Sequence, residues 1–119
     1  MPRAENDNDM SVTRVVNGRV ESGDVYIGRR RVGMHFGNPY THQRGTLGSI
    51  IVATRADAVA AYDAWLGGTR DQELEPERRT WIIECIPGLR GLALQCHCKP
   101  AECHGDVLAR RAEEAWQES

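Results

Sequence analysis

The strongest constraint on the fold is an apolar run of strand length that leads through a cysteine-rich turn into a helical pattern. Leu92-Ala93-Leu94-Gln95-Cys96 is mostly apolar, as expected of a strand covered on both faces. Cys96-His97-Cys98-Lys99-Pro100-Ala101-Glu102-Cys103-His104-Gly105-Asp106 follows without a break. From about residues 101–103 to Trp116, Val107, Leu108, Ala112 and Ala115 then recur at helical spacing. A strand covered on both faces belongs to a sheet flanked by helices.

Residues 12–16 alternate weakly and stop at the turn dipeptide Asn17-Gly18, and Asp24-Val25-Tyr26-Ile27-Gly28 is a short β-branched and aromatic run. Both read as strands, either a hairpin or neighbours in one sheet, and Ile50-Ile51-Val52 adds a further short one. Residues 54–66 form the clearest helix. Thr54 and Asp57 resemble a capping box, Val59, Tyr62, Trp65 and Leu66 share one face, and Gly67-Gly68 ends the run. A second helix opens near Pro76 and runs through Trp81, Ile82 and Cys85 to Ile86, where Pro87-Gly88 stops it. Residues 29–48 are basic, glycine-rich and aperiodic. They read as a long loop of the kind that is functional or mobile.

Residues 1–11 are polar and read as a disordered tail, leaving 12–119 as a single domain. At 119 residues the chain is long enough for its own core. The expected fold is α/β: a small, at least partly parallel sheet flanked by about three helices. Ligands of such sheets bind beyond the carboxyl ends of the strands, where the cysteine turn falls.

A net charge of −2 argues against a general nucleic-acid binder. No run approaches the roughly 20 apolar residues of a membrane span, and no apolar signal-peptide core follows the N-terminus, so a cytoplasmic location is expected. In that reducing compartment, crowded cysteines read as metal ligands or reactive thiols rather than disulfides.

The turn admits three readings. In the first, Cys96, Cys98, Cys103 and His104 bind zinc, although the spacing lacks a paired C-x-x-C knuckle. In the second, the turn is an active or binding site. Cys103 is then a thiolate at a helix N-terminus, His104 a proton carrier, and Asp106 an orienting carboxylate or hydrogen-bond acceptor. In the third, the cysteines are small apolar core residues, which suits Cys85 best.

Elsewhere, Gly28 and Arg29 after the second strand suit a phosphate or carboxylate clamp, whereas Arg30 and Arg31 read as a solvated turn. Asn38, in the turn Gly37-Asn38-Pro39-Tyr40, can present an amide to a ligand. His35 and His42 read as loop residues, and Trp65 and Trp81 as core.

These residues also carry a resemblance. The order Val25-Tyr26-Ile27-Gly28-Arg29, Gly37-Asn38-Pro39-Tyr40, Tyr62, Trp65-Leu66 and Leu89-Arg90-Gly91 resembles a family of small proteins common in phages, domain-of-unknown-function family 4326. The most specific part is Leu94-Gln95-Cys96-His97-Cys98-Lys99-Pro100 with Cys103-His104-Gly105-Asp106-Val107-Leu108. The likeness spans roughly residues 12–116 and implies that its three separated motifs converge on one pocket. Tyr40 stands where members often carry another aromatic. His97 stands where tryptophan is frequent, so His97 is not a required ligand.

The expected pocket therefore gathers Gly28, Arg29, Asn38, Cys96, Cys98, Cys103, His104 and Asp106. An arginine turn facing a helix start suits an anionic small molecule such as a nucleotide or sugar phosphate. The competing class is a zinc-stabilised, non-enzymatic interaction module that binds a host protein. The sequence names no reaction.

Overall fold

In the computed structural model, residues 12–44 and 48–118 are described, and the expected tail, residues 1–11, lies outside them. Along the described chain run β1 (Arg14–Asn17), β2 (Val25–Tyr26), β3 (Tyr40–Thr41) and β4 (Ile50–Ile51). Then come α1 (Arg55–Leu66), α2 (Pro76–Cys85), a 3-10 turn (Ile86–Leu89), β5 (Ala93–Cys96) and α3 (His104–Glu118). The fold class is α/β, as expected.

The apolar run becomes the centre of the sheet. β5 lies between β1 and β2, and both neighbours run parallel to it. Val15 and Val25 both sit opposite Leu94, one on each side. The first two strands are therefore neither a hairpin nor neighbours. Their alternation shows which face is covered but not which edge they take, and the most apolar strand claims the middle. The crossing segment between them hugs β5. Gln95 Oε1 accepts the Gly23 N–H at 2.9 Å, and a Cβ on Gly23 would fall 2.9 Å from the Ala93 carbonyl oxygen.

Helix α1 starts as its sequence predicts, with Thr54 Oγ1 accepting the Asp57 N–H at 3.0 Å. Its face of Ala58, Ala61, Tyr62, Trp65 and Leu66 is buried against Leu94, Leu108 and Ala112 in one hydrophobic core. Trp65 is fully buried and donates its indole N–H to the Leu74 carbonyl at 2.9 Å. Trp81 is only half-buried, packed against Phe36 with ring centroids 4.8 Å apart. Asp63 ties α1 to α3 through Arg110 at 2.7 Å and Arg111 at 2.8 Å. Helix α2 ends at Cys85, and Pro87-Gly88 lie inside the 3-10 turn that continues it.

The segment read as a loop is more ordered than its composition suggests. Tyr40–Thr41 is strand β3, paired in parallel with β4, and Phe36, Gly37, Asn38, Pro39, Tyr40 and Thr41 are all buried. The buried guanidinium of Arg78 pins the segment, donating from Nη1 to the carbonyls of His35 at 2.9 Å and Gly37 at 2.7 Å. Tyr62 adds a 2.7 Å hydroxyl bond to the Phe36 carbonyl. None of these donors leaves a local pattern in the segment itself, so periodicity could not reveal its order.

Candidate functional site

The cysteine turn leaves the carboxyl end of β5 and is held from both sides. Asn17, at the end of β1, donates its amide to the Lys99 carbonyl at 2.7 Å. At the start of α3, the N-cap position is Cys103. Its Sγ accepts the Gly105 N–H at 3.3 Å, while Asp106 Oδ2 accepts the Cys103 N–H at 3.2 Å. This reciprocal arrangement resembles a capping box, with sulfur in place of a hydroxyl and the N–H of the second helical residue, rather than the third, as its donor. The other oxygen of Asp106 meets Lys99 Nζ at 2.6 Å. Asp106 is thus a hydrogen-bond acceptor, with the Cys103 amide as its donor and Lys99 as its ion-pair partner.

Three sulfurs come together here. One ligand atom each from Cys96, Cys98 and Cys103 all lie within 4.8 Å of one another, with Cys96 and Cys103 buried and Cys98 half-buried. Among the described residues all four cysteines are free thiols. The Cys98 N–H points at Cys96 Sγ at 3.4 Å. Their acidities are pushed apart. Cys103 donates to Cys98, which, with Arg55 and the charge of Arg29, outweighs burial and lowers the Cys98 thiol to about 5. The same bond, with burial, pushes Cys103 well above the usual thiol range. The active-site reading of the sequence puts a thiolate on Cys103, at the helix start; the surroundings favour charge on Cys98. The helix N-terminus is outweighed because Cys103 is buried and serves as the donor of the pair.

His104 lies edge-on to Tyr62, with ring centroids 5.1 Å apart. Its Nε2 is 2.6 Å from the Ile27 carbonyl, so Nε2 carries the proton and Nδ1 presents a lone pair 3.8 Å from Cys103 Sγ. Burial, with the positive charges of Arg29 and Arg78, pushes the imidazole down to about 4. It is neutral at physiological pH and ties the exit of β2 to the start of α3. The mutual ligand cluster comprises the three sulfurs without a His104 nitrogen.

Arg29 and Asn38 meet as the pocket reading requires, through contacts that also shape the wall. Arg29 donates from Nε to the Asn38 carbonyl at 2.7 Å and from Nη2 to the Tyr40 carbonyl at 3.0 Å. The Asn38 amide bridges inward, donating to the Ala58 carbonyl at 2.9 Å and accepting the Tyr40 N–H at 2.9 Å. Glycine is required at Gly37, where a Cβ would fall 2.7 Å from the Arg29 Cα.

Gly28, Arg29, Asn38, Cys96, Cys98, Cys103 and His104 all line one cavity of about 540 Å³ at the carboxyl ends of the strands; Asp106 stands behind it, at the helix cap. Two arginines that the sequence reading passed over, Arg19 and Arg55, join Arg29 in the lining, against Glu102 as the carboxylate. Among the described residues none of these three arginines is ion-paired to a carboxylate, although Arg55 also approaches the Glu102 backbone carbonyl at 3.5 Å. Arg55 had left a signal: as the first residue of α1 it puts a cation at the positive end of the helix dipole, a local conflict typical of functional positions. His97 is exposed at the rim, its ring 6.0 Å from that of Tyr26.

The family model described as Domain of unknown function (DUF4326) matches residues 10–114. The chain belongs to this family. No curated protein and no solved structure matches it. In this DUF4326 chain, the arginine turn, the Gly-Asn-Pro segment and the cysteine turn lie far apart in sequence and share one cavity wall. Among the described residues no helix is long and apolar enough to cross a membrane.

Proposed function

We propose that this DUF4326 chain binds an anionic small molecule, a nucleotide or sugar phosphate, in the cavity beside its cysteine turn. The observation that carries the reading is the lining charge: Arg19, Arg29 and Arg55 line the cavity, among the described residues none is paired to a carboxylate, and they stand against the Glu102 carboxylate and the Cys98 thiol. Guanidinium groups recognise phosphate through paired N–H donors, and partial burial strengthens that attraction. A volume of about 540 Å³ lies within the range of small-molecule sites. In this reading Cys103, His104 and Asp106 build and hold the wall, and Cys98 puts its thiol in the cavity lining.

The test is a thermal-shift screen of nucleotides and sugar phosphates, followed by calorimetry on any hit. Arg55→Gln should weaken the hit by at least tenfold without changing the fold, because its contacts, with the Glu102 carbonyl at 3.5 Å and the Cys98 thiol, lie in the cysteine turn rather than in the core. Absence of any stabilisation across the panel overturns the reading.

A second reading, a zinc-braced interaction module that engages a host protein, is favoured by the proximity of the three sulfurs. It predicts that Cys96→Ser and Cys103→Ser unfold the chain, because a structural zinc contributes folding energy. The pocket reading predicts that they spare the fold and remove ligand binding.

A further inference from the structure

We propose that Cys96, Cys98 and Cys103 hold one Zn²⁺ as a three-thiolate site whose fourth position opens into the arginine-lined cavity. There it takes water or an oxygen of the anionic ligand. The second half of this inference rests on the pocket reading above; the first half does not.

The geometry is close to what the metal needs. Tetrahedral zinc with Zn–S bonds of about 2.3 Å holds its sulfurs roughly 3.8 Å apart. The three sulfurs already lie within 4.8 Å of one another, so closure asks for movements of about an ångström or less from thiols on short side chains. Their backbones are anchored: Cys96 ends the central strand, Cys103 caps α3, and the turn between them is tied to Asn17.

Backbone N–H groups already point at two of the sulfurs, from Cys98 to Cys96 and from Gly105 to Cys103. Such donors stabilise thiolate charge and orient a ligating sulfur. Soft thiolates select zinc over magnesium or calcium. Binding would release the thiol protons to solvent.

Among the described residues no fourth ligand atom lies within 4.8 Å of all three sulfurs: His104 Nε2 is committed to the Ile27 carbonyl, and its Nδ1, 3.8 Å from Cys103 Sγ, falls outside the cluster. All three cysteines line the cavity. A closed structural site would instead bring a fourth ligand into the cluster. Three thiolates on Zn²⁺ leave a net charge of −1. Arg29 and Arg55, in the same lining, offset it and make room for an anion beside the metal.

The experiment loads the reduced, metal-free full chain with Co²⁺, a spectroscopic stand-in for zinc, and then adds inorganic phosphate. One cobalt per chain is expected, with intense tetrahedral d–d bands and thiolate-to-cobalt charge transfer scaled to three sulfurs. Phosphate should then shift the d–d bands, and Zn²⁺ should displace the cobalt. Cys98→Ala, in the turn and away from the strand core, should cut metal affinity at least a hundredfold while the circular dichroism stays native. Cys85→Ala should change neither.

No stoichiometric cobalt on a folded, reduced chain overturns the metal site. If nucleotides or sugar phosphates still stabilise that metal-free chain, the pocket reading survives its loss. Bound cobalt with bands indifferent to phosphate overturns the open position. A metal-loaded chain whose bands respond to phosphate, yet which binds no nucleotide or sugar phosphate, upholds this inference and sinks the ligand class proposed above.

Discussion

Asn38→Ala separates a loop lock from a ligand contact, and its cost can be worked out from the structure. The amide makes two bonds, one to the Ala58 carbonyl and one from the Tyr40 N–H, and Asn38 is only 5% exposed. Tyr40 is fully buried, so water cannot replace the lost acceptor. The Ala58 carbonyl lies within α1 and keeps its helical partner, which limits the loss on that side. Two lost bonds at about 1 kcal/mol each, plus a stranded N–H at about 1–2 kcal/mol, sum to roughly 3–4 kcal/mol. For a chain of this size that is a fall in Tm of about 10–20 °C.

Thermal and urea unfolding followed by circular dichroism would measure it. Ligand affinity should return to near the parental value at temperatures where the variant is folded, because the amide is turned inward. A variant that keeps its Tm within about 3 °C while losing ligand binding would refute the loop-lock argument.

Three further outcomes follow from the packing. Gly105→Ala should destabilise by about 1–2 kcal/mol, since overpacking outweighs the gain in helix propensity. Its Cβ would fall 2.6 Å from Ile27 Cδ1 and 3.0 Å from Val15 Cγ1, and a stability equal to or above the parent's would show that α3 can retreat from the sheet. Arg78→Met should cost about 2–4 kcal/mol by stranding the His35 and Gly37 carbonyls and the Glu75 carboxylate, with faster amide exchange in residues 35–41 as its signature. Burial raises the Asp63 carboxyl, but the hydrogen bonds and charges of Arg110 and Arg111 outweigh it and hold it below its usual value of 3.8. Its stabilisation is therefore present above pH 4 and lost as pH falls through the lowered folded value. Asp63→Asn should flatten that acid limb of the Tm–pH curve, and parallel curves for variant and parent would contradict the assignment.

Much of the site was legible as residue types and little of it as roles. Cys96, Cys98 and Cys103 stand out because one residue type recurs in a turn after a buried strand, and tertiary packing brings their sulfurs together. Arg29 and Asn38 stand out as motif residues, yet their bonds to the Tyr40 and Ala58 carbonyls shape the wall itself. Arg55 and Arg78 were passed over because an arginine on a helix looks the same in sequence whether it faces solvent, a cavity or the core. Which thiol carries charge was also out of reach, since acidity depends on burial and on which neighbour donates a proton.

The sequence by itself determined the elements whose information is local. Thr54 caps α1, Pro76 opens α2, the apolar run forms the buried strand β5, and the stripe of α3 packs on the core. Each follows from periodicity, capping or apolar content within a few residues. Tertiary structure alone decided the placement of β1 and β2 on opposite edges of β5 and the order of the segment around Phe36 and Tyr40. It also brought the arginines to one cavity with the sulfurs. Those outcomes depend on partners tens of residues away, such as Arg78 reaching the Gly37 carbonyl, and a single chain read locally carries no record of which distant donor will arrive.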